Sequence, residues 1–585
     1  MKKFDPVTIL GSLVCIVALA LIFAYNWTHT RRAAQAPQPI PANPVVSQEA
    51  TMAAPQDAPV VPGEPAALPP FVQREPVLLS LPELMEVQVD PMKGGVTKVT
   101  LANYHWQTGD RKGPRESVAM GREKVPFLSL NLPGRTLHEI AEPTIAQDSL
   151  TLHRATADSL LRVDESWKVD AQGQPNAYSL LYTLRFTNGS TQPVSLGRTA
   201  VSCGALPDFL AGDEGGSFAS KYLSGCVAYG RAAKGDAKTL DMKAISRKLT
   251  PAKVAQYETT PANWVGVSSK YFLFALRNLT VDGSPAPFPG FAPRQPQELL
   301  PQEYFSAEAL LPEVTLAPGE SVTFTITGYS GPKSLQMLEP MGQGLPSILN
   351  MDLFFFWHFD WMGWLCKMLL KALNGIAGWF PPSCAYGLAI ILITLLVKVV
   401  FMPLAWHSTR SMKKMSALQP QLKVLREKYK EDPQRMYYEQ NKLFKENQVS
   451  QTGGCLPMLV QIPVFFAMFN TFRGAIEIRN ASFLWVADLS MPDPVFGLPI
   501  HPLAILTGVT MLLQQKLQPM PDPSQARMMN IMSLVFVVFF YNMPAGLTLY
   551  MTVNQLTSIA QMLLFRRLEK RASLGKAPAK AGKPA

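Results

Sequence analysis

Residues 389–406 read AIILITLLVKVVFMPLAW, an apolar, β-branched run broken by one charge, Lys398. The run opens near Ser383 and closes at Pro403, about the length that spans a bilayer core. Lys398 falls in its last third. An ammonium at that depth costs about 3 kcal/mol on insertion scales. It persists where it snorkels to the headgroups, finds a partner or lines a wet cavity. Lys398 stands five residues before Pro403, so snorkelling is the ordinary reading. Polar residues in later apolar segments favour a polar cavity instead.

The run 455–475 carries Gln461 between Pro457 and Pro463. The last run, 547–565, carries Tyr550, Asn554, Thr557, Ser558 and Gln561. Tyr550, Asn554, Ser558 and Gln561 are spaced four, four and three and share one helix face. Thr394 lies one turn before the lysine on the same side. Polar stripes glue helices together by hydrogen bonds, which accounts for a lone Asn or Gln. It accounts less well for a lysine when none of the last five apolar runs contains Asp or Glu. A hydrated groove lined by Lys398, Gln461 and the Tyr550 face is the expectation.

The chain has 585 residues, 47% of them hydrophobic, and a net charge of +11. Its apolar residues come in blocks, which excludes one soluble domain. Residues 77–345 hold 25 Lys+Arg and 26 Asp+Glu; subtraction from 54 and 43 leaves 29 basic and 17 acidic residues elsewhere. The excess positive charge therefore belongs to the membrane-associated part. The six cysteines (15, 203, 226, 366, 384 and 455) show no metal-ligand spacing. Cys203 and Cys226 share the soluble domain, where a disulfide and two free thiols both fit the sequence.

Residues 7–24 are uncharged. They read as an uncleaved signal-anchor helix (1–27) rather than a cleaved leader, since the run is long and Arg31–Arg32 intervene before the Ala34-Gln35-Ala36 site. Residues 28–76, rich in Pro and Ala, read as an extended linker. Residues 77–345 alternate apolar and polar in short runs with turn signals such as Asn188-Gly189 and Pro318-Gly319, which predicts a large β-sandwich. No HExxH or GxSxG occurs there. Residues 346–382 crowd Trp361, Trp364 and Trp379 beside Asp360, Lys367, Lys371 and Asn374 at helical spacing. This predicts an amphipathic helix lying in the membrane interface. Residues 408–450 carry Met415, Leu418, Leu422, Leu425 and Tyr429 at steps of three or four, then a break at Asp432-Pro433. They predict a helical hairpin standing off the membrane.

Further apolar runs at 455–475, 496–513, 526–543 and 547–565 bring the expected spans to six. The resulting fold class is a polytopic α-helical membrane protein of six transmembrane helices with a large all-β domain. Its five-helix core occupies residues 383–565. The loop 476–495 has one basic and three acidic residues, whereas the tail 566–585 has seven and one. The positive-inside rule then puts the hairpin and both termini in the cytoplasm and the β-domain outside. Two of the last spans are short, which suggests a thinned bilayer around them.

Five motifs follow in order: KVVFMPL (398–404), MSALQPQ (415–421), GGCLPMLVQIPVF (453–465), NMPAGLTLY (542–550) and FRRLEKR (565–571). Together they closely resemble the YidC/Oxa-type membrane protein insertases, over residues 351–585. The β-region looks like the periplasmic domain of the Gram-negative form. The resemblance implies a bacterial inner-membrane protein with a groove open to cytoplasm and lipid and closed on the far side. A basic residue there receives the hydrophilic end of a substrate. That residue is usually arginine; here it is Lys398, which keeps the charge but loses the planar fork. The family's contact positions on the last helix match Tyr550, Met551, Asn554 and Ser558, and Met551 is often aromatic in relatives.

The implied partners are nascent membrane proteins, a Sec translocon, the translating ribosome and its targeting machinery through the hairpin and basic tail, and membrane lipids. The groove set is thus Lys398, Thr394, Gln461, Tyr550, Met551, Asn554, Ser558 and Gln561. No enzyme chemistry, metal or cofactor is expected, and no GxxxxGK[ST] occurs. Two rivals remain. A secondary transporter with a substrate-binding lysine predicts internal repeats, and none is visible. A scaffold whose β-domain is the working part predicts loss of insertion when that domain is deleted.

Overall fold

The protein is described from a computed structural model. It describes residues 74–105, 117–169, 177–207, 226–232, 237–241, 250–294, 304–351, 353–354, 357–447, 456–494, 500–517 and 523–574. The expected signal-anchor helix, the linker before residue 74 and the tail beyond 574 lie outside the described residues.

From Val77 to Pro332 the described chain forms two large antiparallel sheets, of eight and eleven strands, packed as a sandwich, with a small two-stranded sheet beside them. The larger sheet is built around Ser179–Asn188. Tyr182 lies opposite Ile326 on one side and Trp167 on the other. Tyr182, Leu184 and Phe186 are buried, while Leu181 and Arg185 are exposed. That period of two sorts each strand into a core face and a solvent face. The sheets meet through Phe127 and Phe274, stacked at 4.6 Å. Trp167 Nε1 also donates across them to the Leu128 carbonyl at 3.0 Å. Gly204, at φ 72°, passes so close to both phenylalanines that a Cβ would sit 3.0 Å from Phe127, so a side chain there is strained.

Cys203 and Cys226 are both buried, with no disulfide between them. They lie on strands of different sheets, Ala200–Pro207 and Cys226–Arg231. Of the two states the sequence allowed, the structure has the thiols.

The buried apolar set continues from the sandwich through Leu335, Leu338, Leu345 and Ile348 into the helical part. There α1 (Asp360–Ala377) packs against α2 (Ala385–Val400) and α6 (Leu456–Gly474). Its Met362, Cys366, Leu369, Leu370 and Leu373 face inward, and Trp361, Trp364 and Met368 face out. The bend after α2 leads into α3 (Met402–Ala417), α4 (Gln419–Lys428) and α5 (Pro433–Glu446). Then come α6, α7 (Pro502–Leu517), α8 (Pro523–Tyr541) and α9 (Ala545–Leu574). Helix α9 packs against both α2 and α7.

Two local features differ from the expected pattern. The lysine helix stops at Val400, short of Pro403, because proline lacks an N–H and its ring crowds the carbonyl four residues back. Its 16 residues cover about 24 Å. The chain then turns by 58° into α3. The first limb of the hairpin is also two helices, with α4 starting just before Pro420. The second break falls as expected, and Asp432 caps α5 by accepting from the Arg435 N–H at 3.0 Å. Val424 is exposed, whereas Leu418, Leu422 and Phe444 form a small core of their own.

Among the described residues no single helix is long and apolar enough to cross a membrane; the bent pair α2–α3 passes together by length and composition.

Candidate functional site

Helix α2 has two unlike sides. Gly387, Ile390 and Thr394 are buried at helical spacing, while Leu395, Leu396, Val399 and Val400 are exposed. Lys398 follows Thr394 by one turn and is half-buried. It therefore leaves the helix on the packed side, not among the leucines and valines. Its ammonium donates to Ser558 Oγ at 2.7 Å. That hydroxyl donates in turn to the Asn554 carbonyl at 2.8 Å. Among the described residues no carboxylate lies within 4.0 Å of Lys398. The ammonium has three donors and is held by a neutral oxygen, with no counter-charge among the described residues.

A second link joins α6 to α9. Gln461 Nε2 donates to the Tyr550 hydroxyl at 2.7 Å. Tyr550 is fully buried, its ring 6.5 Å from that of Phe472. Hence α2, α6 and α9 are cross-tied by the side chains that the spacing singled out. Asn554 is buried between the two ties, and Met551 packs against the apolar core. Ser558 and Gln561 are half-buried at the open end of the stripe.

Thr394 and Tyr550 are shut off from solvent, so they form packed floor rather than open wall. Thr394 Oγ1 turns back to the Ile390 carbonyl at 2.6 Å, the usual way a helical threonine satisfies its hydroxyl. It does not meet the lysine. Beside the bend, Val399, Met402, Pro403, Trp406 and His407 line an open hollow of about 470 Å³. Trp406 packs on Phe565 of α9 at 4.6 Å.

Sequence reasoning missed the tie between α7 and α9. Thr507 Oγ1 and Thr552 Oγ1 lie 2.7 Å apart, both buried. The only signal was the presence of threonines inside two apolar runs. It also missed the loop after α6, whose contacts reach far along the chain.

Two family models match this chain: the 60Kd inner membrane protein family over residues 379–572 and the YidC periplasmic domain over residues 83–371. Among relatives, the membrane protein insertase YidC of Geobacter sulfurreducens is 38% identical over 52% of this chain and 53% of its own length. For that relative the matched stretch thus spans about half its length. The YidC insertase of Syntrophus aciditrophicus is 30% identical over 80% of this chain and 81% of its own. That of Pseudomonas fluorescens is 29% identical over 96% and 97%. The sandwich and the helical part are each matched, and a single relative aligns with most of both: the chain belongs to the YidC family of inner-membrane protein insertases.

Proposed function

We propose that this protein inserts nascent membrane proteins by sheltering their polar flanks in a groove between α2, α6 and α9. The observation that carries the reading is the Lys398 ammonium, turned onto the packed face of α2 and held by Ser558 at 2.7 Å. A lysine serving only as an anchor would extend towards headgroups. This one is held inside by a neutral oxygen, where a carboxylate can displace or join the serine.

The energetics decide what the groove has to do. A leucine at the centre of a transmembrane helix favours insertion by about 0.5 kcal/mol, whereas an aspartate opposes it by about 3 kcal/mol. About twenty apolar residues thus gain on the order of 10 kcal/mol, and two acidic residues crossing the hydrocarbon cost roughly 6. Partitioning of the apolar segment is the driving force. The flank is the barrier, and a polar cavity with one positive charge lowers it. No nucleotide is needed in that scheme.

In this reading α2 and the four helices α6 to α9 with the N-terminal anchor make six spans. The hairpin and both termini lie in the cytoplasm and the sandwich in the periplasm. The short 16-residue α2 suits a locally thinned bilayer. Basic residues of the hairpin and tail face the ribosome and targeting machinery, and the core works alone or beside a Sec translocon. The domain limits 77–345, 346–382 and 383–565 follow the same scheme.

The test is a Lys398→Glu variant in a strain depleted of its own insertase. Growth and insertion of substrates with acidic flanks fail in this reading. Full restoration of both would make the groove charge dispensable and the reading wrong.

A further inference from the structure

The loop after α6 is held from two sides. On its inner side it touches the ends of all three groove helices. It continues directly from α6, which ends at Gly474. Its Phe483 packs so tightly on Gly387 in the first turn of α2 that a Cβ there would lie 2.0 Å from the ring. Ser482 Oγ donates to the Ser383 carbonyl just before α2, at 3.1 Å. Ala545 and Gly546, which open α9, donate their N–H groups to the Met491 and Leu489 carbonyls at 2.7 and 2.8 Å. Gly387 precedes Lys398 by eleven residues, about 16 Å along a helix. The loop therefore covers the end of the groove remote from the lysine.

On its outer side the same loop grips the sandwich. Arg479 Nη1 donates to the His105 carbonyl at 2.6 Å, and Asn480 Nδ2 donates to the same oxygen at 3.0 Å. His105 ends a strand of the eight-stranded sheet. The guanidinium also lies 5.7 and 5.5 Å from the ring centres of Tyr271 and Phe272, which lead into a strand of the other sheet. Arg479 is only 7% exposed, so it is not a headgroup anchor. A desolvated cation bonded to a carbonyl and placed near two aromatic rings is a strong, directional contact. Asn480, at φ 59°, supplies the left-handed turn that lets neighbouring side chains reach one acceptor.

We infer that Arg479 is a positioning residue: it registers the loop 476–491 on the β-domain and so keeps the far end of the insertion groove closed. The inference rests on the groove reading above. It gives the sandwich a part in insertion that needs no ligand of its own, since the sandwich acts as a rigid footing for the cap.

The test uses the full-length protein in proteoliposomes. In an Arg479→Ala variant the Ala545 and Gly546 amides should exchange hydrogen about tenfold faster or more, as a cap contact opens. The sheet amides of Leu184 and Phe324 should keep wild-type protection, and the vesicles should leak protons, which a contact that only stabilised the sandwich would not cause. Arg479→Lys should recover part of both effects. Unchanged protection of Ala545 and Gly546 in the alanine variant overturns the proposal. If the sheet amides accelerate too, the lysine variant decides: faster exchange confined to the cap supports the proposal, and no cap effect overturns it. A Lys398→Ala variant separates the two claims, because it should slow insertion of acidic flanks about tenfold with cap protection intact. If it inserts them normally, the groove reading fails and the proposal with it, even where the cap amides respond to Arg479.

Discussion

Lys398 and Ser558 are joined across two helices by a 2.7 Å hydrogen bond, and the Ser558 hydroxyl donates in turn to the Asn554 carbonyl. The lysine is thereby fixed in direction by a neutral partner. A carboxylate partner would have fixed it equally well and cancelled the charge that a polar flank needs.

A charge series at position 398 follows from that arrangement. Lys398→Arg should insert acidic-flank substrates at close to the wild-type rate. Lys398→Ala should slow them about tenfold, equivalent to some 1.4 kcal/mol, while neutral-flank substrates change much less. Reconstituted insertion with matched flank variants measures the ratio. Equal slowing of both substrates would mean that the lysine acts through structure and not through charge.

Ser558→Ala removes the only oxygen recorded against the ammonium among the described residues. Hydrogen bonds between membrane helices contribute about 0.5–2 kcal/mol, so a modest drop in thermal midpoint is expected. Tyr550→Phe, which strips the hydroxyl from Gln461, should cost a similar amount. Denaturation of the purified variants in one detergent checks both. The double variant should be close to additive, because the ties join α9 to different helices.

Much of this site was legible in the sequence because it obeys helical periodicity. The four-residue steps from Tyr550 to Ser558 predicted one face, and the structure puts Lys398 and Gln461 against that face. The end of α2 was read too late. The expected run closed at Pro403, but proline acts backwards on the turn before it, and the helix stops at Val400. Thr394 was assigned to the groove from its position, yet its hydroxyl is satisfied within its own helix. Arg479 was counted only as one charge in a loop. Its partners, His105 and Tyr271, lie hundreds of residues earlier in the chain, and no local pattern encodes such a contact.

The sandwich makes a pH prediction. Glu165 is fully buried, with Arg154 Nη2 at 3.1 Å and the Tyr182 hydroxyl donating at 2.9 Å. Burial raises its carboxyl above the ordinary value of 4.5, and Arg154 offsets part of that. The folded chain thus keeps the proton after the unfolded chain has lost it. This group's contribution to stability should fall as pH rises from 4.5 through the folded value and level off above it. Glu165→Gln should flatten that slope in denaturation midpoints taken between mildly acid and neutral pH. Arg154→Ala, which leaves the acid without its cation, should cost about 3–5 kcal/mol.

The cysteines make a redox prediction. Cys203 and Cys226 are separate buried thiols, so alkylating the unfolded chain without reductant should label both. The denaturation midpoint of the sandwich should not move with added dithiothreitol. A mass shift showing the two peptides linked would contradict the placement of their strands.

The central claim is that a substrate's polar flank travels on the Lys398 side of α2. A photo-crosslinking residue at Gln561, half-buried on the polar face of α9, tests it against one at Leu396, which is 57% exposed on the opposite face of α2. With a stalled nascent chain bearing an acidic flank, the flank should link to position 561, Lys398→Ala should weaken the link, and position 396 should capture only the apolar segment. Capture of the flank at 396 as readily as at 561, with no dependence on Lys398, would contradict it.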